Sequence, residues 1–139
     1  ENDVTKITGI PQNVRIVKGV YVESSDIAFQ DPNAITNNYI KLAETLQENG
    51  AYVAFATHDQ LLISKVMELI DRLGVSSDSY EFQMLLGVQE RLRNTIRDEG
   101  HPMRVYIPFG KDWYPYSMRR LRQNPKIARY IMRETLRFR

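Results

Sequence analysis

Four apolar, strand-like runs, each followed by a helical pattern, and the lack of a glycine-rich phosphate loop after the first run together predict a parallel α/β fold. The runs begin near Val14, Ala51, Tyr80 and Met103, and their spacing fits βαβ units. Two parallel architectures are open to such a chain. A small doubly wound sheet expects three glycines after its first strand, whereas Lys18-Gly19-Val20-Tyr21-Val22 holds one. A (β/α)8 barrel usually needs about 250 residues, so 139 residues correspond to about four of its eight units. The expectation is a half-barrel.

Composition sets the outer limits. At 42% hydrophobic and 26% charged, the chain has an ordinary globular balance with enough apolar material for one core. It contains no cysteine, which excludes disulfides, thiolate nucleophiles and zinc–cysteine sites and fits a reducing compartment. No apolar run approaches the roughly 20 residues of a membrane span, and the first residues lack a basic-then-apolar leader pattern. The chain reads as soluble and cytoplasmic. Of its 19 Lys and Arg and 17 Asp and Glu, eight bases and the single acid Glu134 fall in residues 119–139, leaving 11 bases and 16 acids before them. A basic tail suits nucleic acid, an anionic membrane or the cationic ends of helices. Its aromatic residues, Tyr130 and Phe138, are too sparse for an RNA-stacking platform, so no nucleic-acid partner is expected.

In chain order, residues 1–13 are polar, punctuated by Gly9 and Pro11, and read as the end of a preceding element and a loop. The stretch Arg15-Ile16-Val17-Lys18-Gly19-Val20-Tyr21 reads as a buried strand that ends in a cation, a glycine and a phenol. Its ordinary alternative is an edge strand with a solvated lysine. From Asp31-Pro32 the pattern turns helical, with Asp31 as N-cap, Pro32 at the first helical position, and Ile35, Tyr39, Leu42 and Leu46 on one face up to Asn49-Gly50. Ala51 to Ala56 is a second strand, closed by Thr57-His58-Asp59, and a helix follows from about Leu61 to Leu73 with Gly74 as its C-cap. Tyr80 to Leu86 is a third strand, stopped by Gly87; Val88 to Arg97 is a charged helix. Met103 to Pro108 is a fourth strand before Phe109-Gly110, and two helices, Trp113 to Gln123 and Pro125 to Leu136, complete the chain.

Parallel strands gather their C-terminal ends on one face. That rule would bring together Lys18-Gly19 and Tyr21, Thr57-His58, Gln83-Met84-Leu85, and Tyr106 with Pro108. Tyr116 precedes Arg119 and Arg120 by three and four residues, so a helix would place all three on one side. Adjacent guanidinium forks backed by a phenol suit a small carboxylate. The alternative there is an exposed salt-bridging face. His58 reads more readily as a hydrogen-bonded structural residue and His101, beside Pro102, as solvated. No metal-ligand spacing and no Ser-His-Asp pattern is evident, and no metal is expected.

In order, Arg-Ile-Val-Lys-Gly-Val-Tyr, Phe-Ala-Thr-His-Asp, Tyr-Glu-Phe-Gln-Met-Leu-x-Gly, Arg-Val-Tyr-x-Pro-Phe-Gly and Tyr-x-x-Arg-Arg closely resemble the C-terminal half of proline dehydrogenase, from about Asn13 to Gln123. The resemblance implies a TIM-like (β/α)8 barrel of which this chain supplies about the last four βα units. The half-barrel would occupy residues 14–124, with 1–13 as a lead-in and 125–139 as a basic C-terminal helix. It further implies FAD over the C-terminal strand ends, oxidation of L-proline to 1-pyrroline-5-carboxylate by hydride transfer to the flavin, and a membrane quinone as electron acceptor, with at most peripheral membrane contact. On matching positions, Arg15 would lie beside the flavin as the catalytic cation, and Lys18, Gly19, Val20, Thr57, His58 and Gln83 would hold the cofactor. Tyr21, Leu85, Tyr106 and Tyr116 would wall the proline ring, and Arg119 and Arg120 would clamp its carboxylate.

Three features depart from the family pattern. Val20 stands where alanine is common, Gln123 stands where a glutamate is usual, and an upstream half that brings a substrate-site lysine and a catalytic aspartate has no counterpart here. The expectation is therefore a piece incomplete for catalysis by itself. The competing reading is a non-catalytic half-barrel that self-associates through its open strand edges.

Overall fold

The computed structural model describes residues 12–18, 23–107, 109–111, 114, 115 and 118. Four strands, β1 (Asn13–Val17), β2 (Tyr52–Ala56), β3 (Tyr80–Leu85) and β4 (Met103–Tyr106), alternate with three helices, α1 (Pro32–Glu48), α2 (Gln60–Leu73) and α3 (Glu90–Asp98). A single turn of 3-10 helix, Ser77–Ser79, leads into β3. The strands form one parallel sheet in the order β1-β2-β3-β4.

That order decides between the two architectures. Doubly wound sheets reverse direction at a switch point, which puts helices on both faces. Strictly sequential parallel strands joined by crossovers of one hand put every helix on the same face, as in a barrel wall. Here one core gathers Val53, Phe55, Tyr80, Phe82 and Met84 from the sheet with Tyr39, Ala43 and Leu46 of α1, Leu62, Ile63, Val66, Leu69 and Ile70 of α2, and Ile96 of α3. Val14, Ile16 and Met103 pack at its margin.

Local chemistry explains the boundaries. Asp31 caps α1 by accepting from the Ala34 amide at 2.7 Å, and Pro32 occupies the first turn, where its missing N–H costs nothing. The buried face of α1 is Thr36, Tyr39, Ala43 and Leu46, a helical spacing. Gly74 ends α2 in the left-handed region at φ 62°, returning its amide to the last carbonyls. The third helix begins at Glu90, two residues later than its charge pattern suggests, because Gln89 stands at φ 53° and cannot continue a right-handed helix. Strand β1 also differs from expectation. It lies at the sheet edge and alternates exposed Asn13, Arg15 and Val17 with half-buried Val14 and Ile16, because helices cover only one of its faces. The two C-terminal helices and the domain limits at residues 1–13 and 125–139 fall largely outside the described residues, although Tyr114, Pro115 and Met118 are helical.

Candidate active site at the strand ends

The face of the sheet turned away from the helices has a different chemistry. Register places Arg15 level with Ala54 and Glu81, then Val17 level with Ala56, Gln83 and Arg104, and Leu85 level with Tyr106. Alanines on the central strand keep this face low, so long side chains from the other strands can lie over it. Glu81 and Gln83 are both buried.

Glu81 is the anchor of the face. Arg104 grips it as a fork, Nε to Oε1 at 2.6 Å and Nη2 to Oε2 at 2.8 Å, and the Gln83 amide donates to the same Oε1 at 2.6 Å. The Arg104 fork holds the Glu81 carboxyl below the usual carboxylate range, with the Gln83 and Tyr52 hydrogen bonds adding to it against the opposing effect of burial. Burial first, and the hydrogen bond to Glu81 second, push the Tyr52 phenol up. Gln83 spends its N–H on Glu81, and its Oε1 is buried with no hydrogen-bond partner among the described residues.

Where β1 and β2 end, Lys18 donates to Asp59 Oδ2. Asp59 Oδ1 accepts from the Leu62 amide at 3.2 Å, so one carboxylate both caps α2 and tethers the lysine. Burial pushes the Asp59 carboxyl up, but Lys18 and the first amides of α2 outweigh it, and the net shift is downward. Thr57 is buried and accepts the Asp59 amide at 3.1 Å, which shapes the turn. His58 Nε2 accepts from the Leu85 amide at 2.9 Å, which makes the ring neutral with its proton on Nδ1. Burial lowers the His58 pKa in the same sense.

The sheet also curls. The Arg15 guanidinium lies 4.9 Å from the centre of the Tyr106 ring, although three strand spacings of about 4.8 Å separate their strands. In a flat sheet these side chains, four residues apart in level as well, would not meet. The contact therefore reports a concave wall.

Of the residues singled out in the sequence, Arg15, Lys18, His58, Gln83, Leu85 and Tyr106 share the concave face or its C-terminal rim, with Thr57 buried in the rim's turn. Gly19, Val20, Tyr21, Tyr116, Arg119 and Arg120 lie outside the described residues. His101 is not solvated as expected. It is half-buried against Phe82 and shares a 2.8 Å hydrogen bond with Tyr80. Glu81, Arg104 and Asp59 were not singled out. The alternation Tyr80-Glu81-Phe82-Gln83-Met84 carried the signal for the first, since a charge at that parity must sit opposite the helices. Among the described residues no cluster of His, Cys, Asp or Glu could hold a metal ion.

A curled parallel sheet, helices on its convex side and a polar rim at the C-terminal strand ends define part of a (β/α) barrel of the enzyme-bearing kind. A family model described as proline dehydrogenase matches residues 2–132. The chain is 39% identical over 125 residues to proline dehydrogenase 2 of Bacillus subtilis, covering 90% of this chain and 41% of that protein. It is 34% identical over 134 residues to proline dehydrogenase of Deinococcus radiodurans, covering 96% and 43%. The crystal structure of proline utilization A (PutA) from Bdellovibrio bacteriovorus inactivated by N-propargylglycine aligns with a TM-score of 0.75 and 31% identity, over 86% of this chain and 15% of that one. The chain belongs to the proline dehydrogenase family. It spans about two fifths of the length of these two bacterial relatives.

Proposed function

We propose that this chain forms the cofactor- and substrate-binding wall of an enzyme that oxidises L-proline to 1-pyrroline-5-carboxylate with FAD. The observation that supports it most is the gathering of Arg15, Lys18, His58, Gln83, Leu85 and Tyr106 on one concave face and its rim, with Gln83 Oε1 buried there and without a partner among the described residues. Buried acceptors are seldom left unsatisfied, and an N–H or O–H of a bound group is what this one lacks. A flavin dinucleotide fits the donor set, because it also carries phosphates for a cation such as Lys18 and polar ring edges for Arg15.

Bound FAD would supply the acceptor for the hydride that leaves the proline ring. Arg15 would hold positive charge beside the ring system, where charge develops. Lys18, Thr57, His58 and Gln83, together with Gly19 and Val20, would position the cofactor. Leu85, Tyr21, Tyr106 and Tyr116 would wall the proline ring and exclude water, and Arg119 and Arg120 would bind its carboxylate. Electrons would leave for a membrane quinone from the cytoplasmic side, a reading that rests on the family resemblance.

The test is an absorbance titration of the protein with FAD, followed by anaerobic addition of L-proline. A bound flavin spectrum that bleaches with proline supports the reading. A protein that binds no FAD overturns it and favours the second reading, a self-associating half-barrel, for which β1 and β4 offer outer edges unpaired among the described residues.

A further inference from the structure

The ion pair of buried Glu81 with exposed Arg104 lies away from the rim, and nothing in the proposed chemistry uses it. Glu81 nonetheless controls one rotor that the chemistry does use. An ionised carboxylate accepts hydrogen bonds and donates none. The end of the Gln83 amide that faces Glu81 must therefore be its NH2, at 2.6 Å, and its carbonyl must face the other way. Arg104 occupies both Glu81 oxygens from the neighbouring strand, so the carboxylate cannot swing to another donor. We propose that Glu81, locked by Arg104, is a positioning residue that sets the Gln83 amide so that Oε1 is presented as an acceptor for an N–H or O–H of the bound flavin. This rests on the flavin reading above.

The geometry has a direct consequence. A neutral side chain at 81 can both donate and accept, so either face of the Gln83 amide would satisfy it, and the acceptor would no longer be fixed. In the full-length protein, Glu81→Gln is expected to weaken FAD binding roughly three- to tenfold, the scale of one hydrogen bond. Gln83→Met, which removes the amide but keeps the length, is expected to weaken it similarly. The double variant should be no weaker than Gln83→Met alone, because Glu81 acts only through that amide. A purely structural role for Glu81 would give additive losses instead. Arg104→Lys, at a side chain 61% exposed, keeps the charge and loses the fork; it serves as the second probe should Glu81→Gln not fold, and its effect should likewise vanish in the Gln83→Met background.

A side-chain amide NMR signal of Gln83, displaced by its charged partner in the wild type and returned toward ordinary amide values in Glu81→Gln, reads the same lock without cofactor. Wild-type protein that fails to bind FAD overturns the flavin reading. Wild-type binding with unchanged affinity in Glu81→Gln and Arg104→Lys, or additive losses, overturns the positioning role alone.

Discussion

The two faces of the sheet are made by alternate residues of the same four strands, yet they do opposite work. The convex face is closed. Phe55 packs its ring 5.6 Å from Phe82 and 6.2 Å from Tyr80, centre to centre, and all three are buried under the helices. The concave face is polar and partly open, with Arg15 exposed and Tyr106 38% accessible. The apolar core is concentrated on one side, and the candidate site residues are gathered on the other. A substitution should therefore move stability or function according to its parity in the strand, with little crossover.

The largest test of that division is Phe55→Ala, which removes a fully buried ring and should destabilise the protein by about 3–5 kcal/mol in urea unfolding. A loss under about 1 kcal/mol would break the comparison. Next is pH. Because His58 must be neutral to accept from the Leu85 amide and its pKa is lowered in the fold, the unfolded chain binds its proton first. Stability from this contact is full above the ordinary histidine range, near 6.5, and is lost as pH falls through the lowered value. His58→Phe should remove that acid dependence, which a thermal-unfolding series across this window would show.

Smaller still is Asp59→Ala, which deletes the α2 cap and should cost about 1 kcal/mol. It also releases Lys18, so this rim position is where stability and ligand binding should change together. The smallest stability effect is expected for Arg15→Met, about 0.5 kcal/mol, since an exposed cation over an aromatic ring is weakly held. Its FAD affinity should nevertheless fall clearly. Equal losses in stability and affinity would place Arg15 in the scaffold.

Much of this was legible in the chain. Asp31-Pro32 and Gly74 mark helix ends because capping is a contact between residues three or four apart. The alternation in Tyr80-Glu81-Phe82-Gln83-Met84 fixes which side chains share a face, because the strand period is two. The rim residues Lys18, His58 and Leu85 were nameable because parallel strands carry their sites at one end. What no local pattern could supply was the pairing of residues far apart in sequence. Lys18 meets Asp59, His58 meets the Leu85 amide, Glu81 meets Arg104 and Arg15 meets Tyr106. Each depends on strand order, register and curl, which arise only when the apolar face folds against its helices. By itself the sequence determined the elements, their parity and the expectation of a half-barrel; the tertiary structure decided how far the four sequential strands curl and which distant side chains that curl brings together, since curvature comes from packing distributed over the whole sheet.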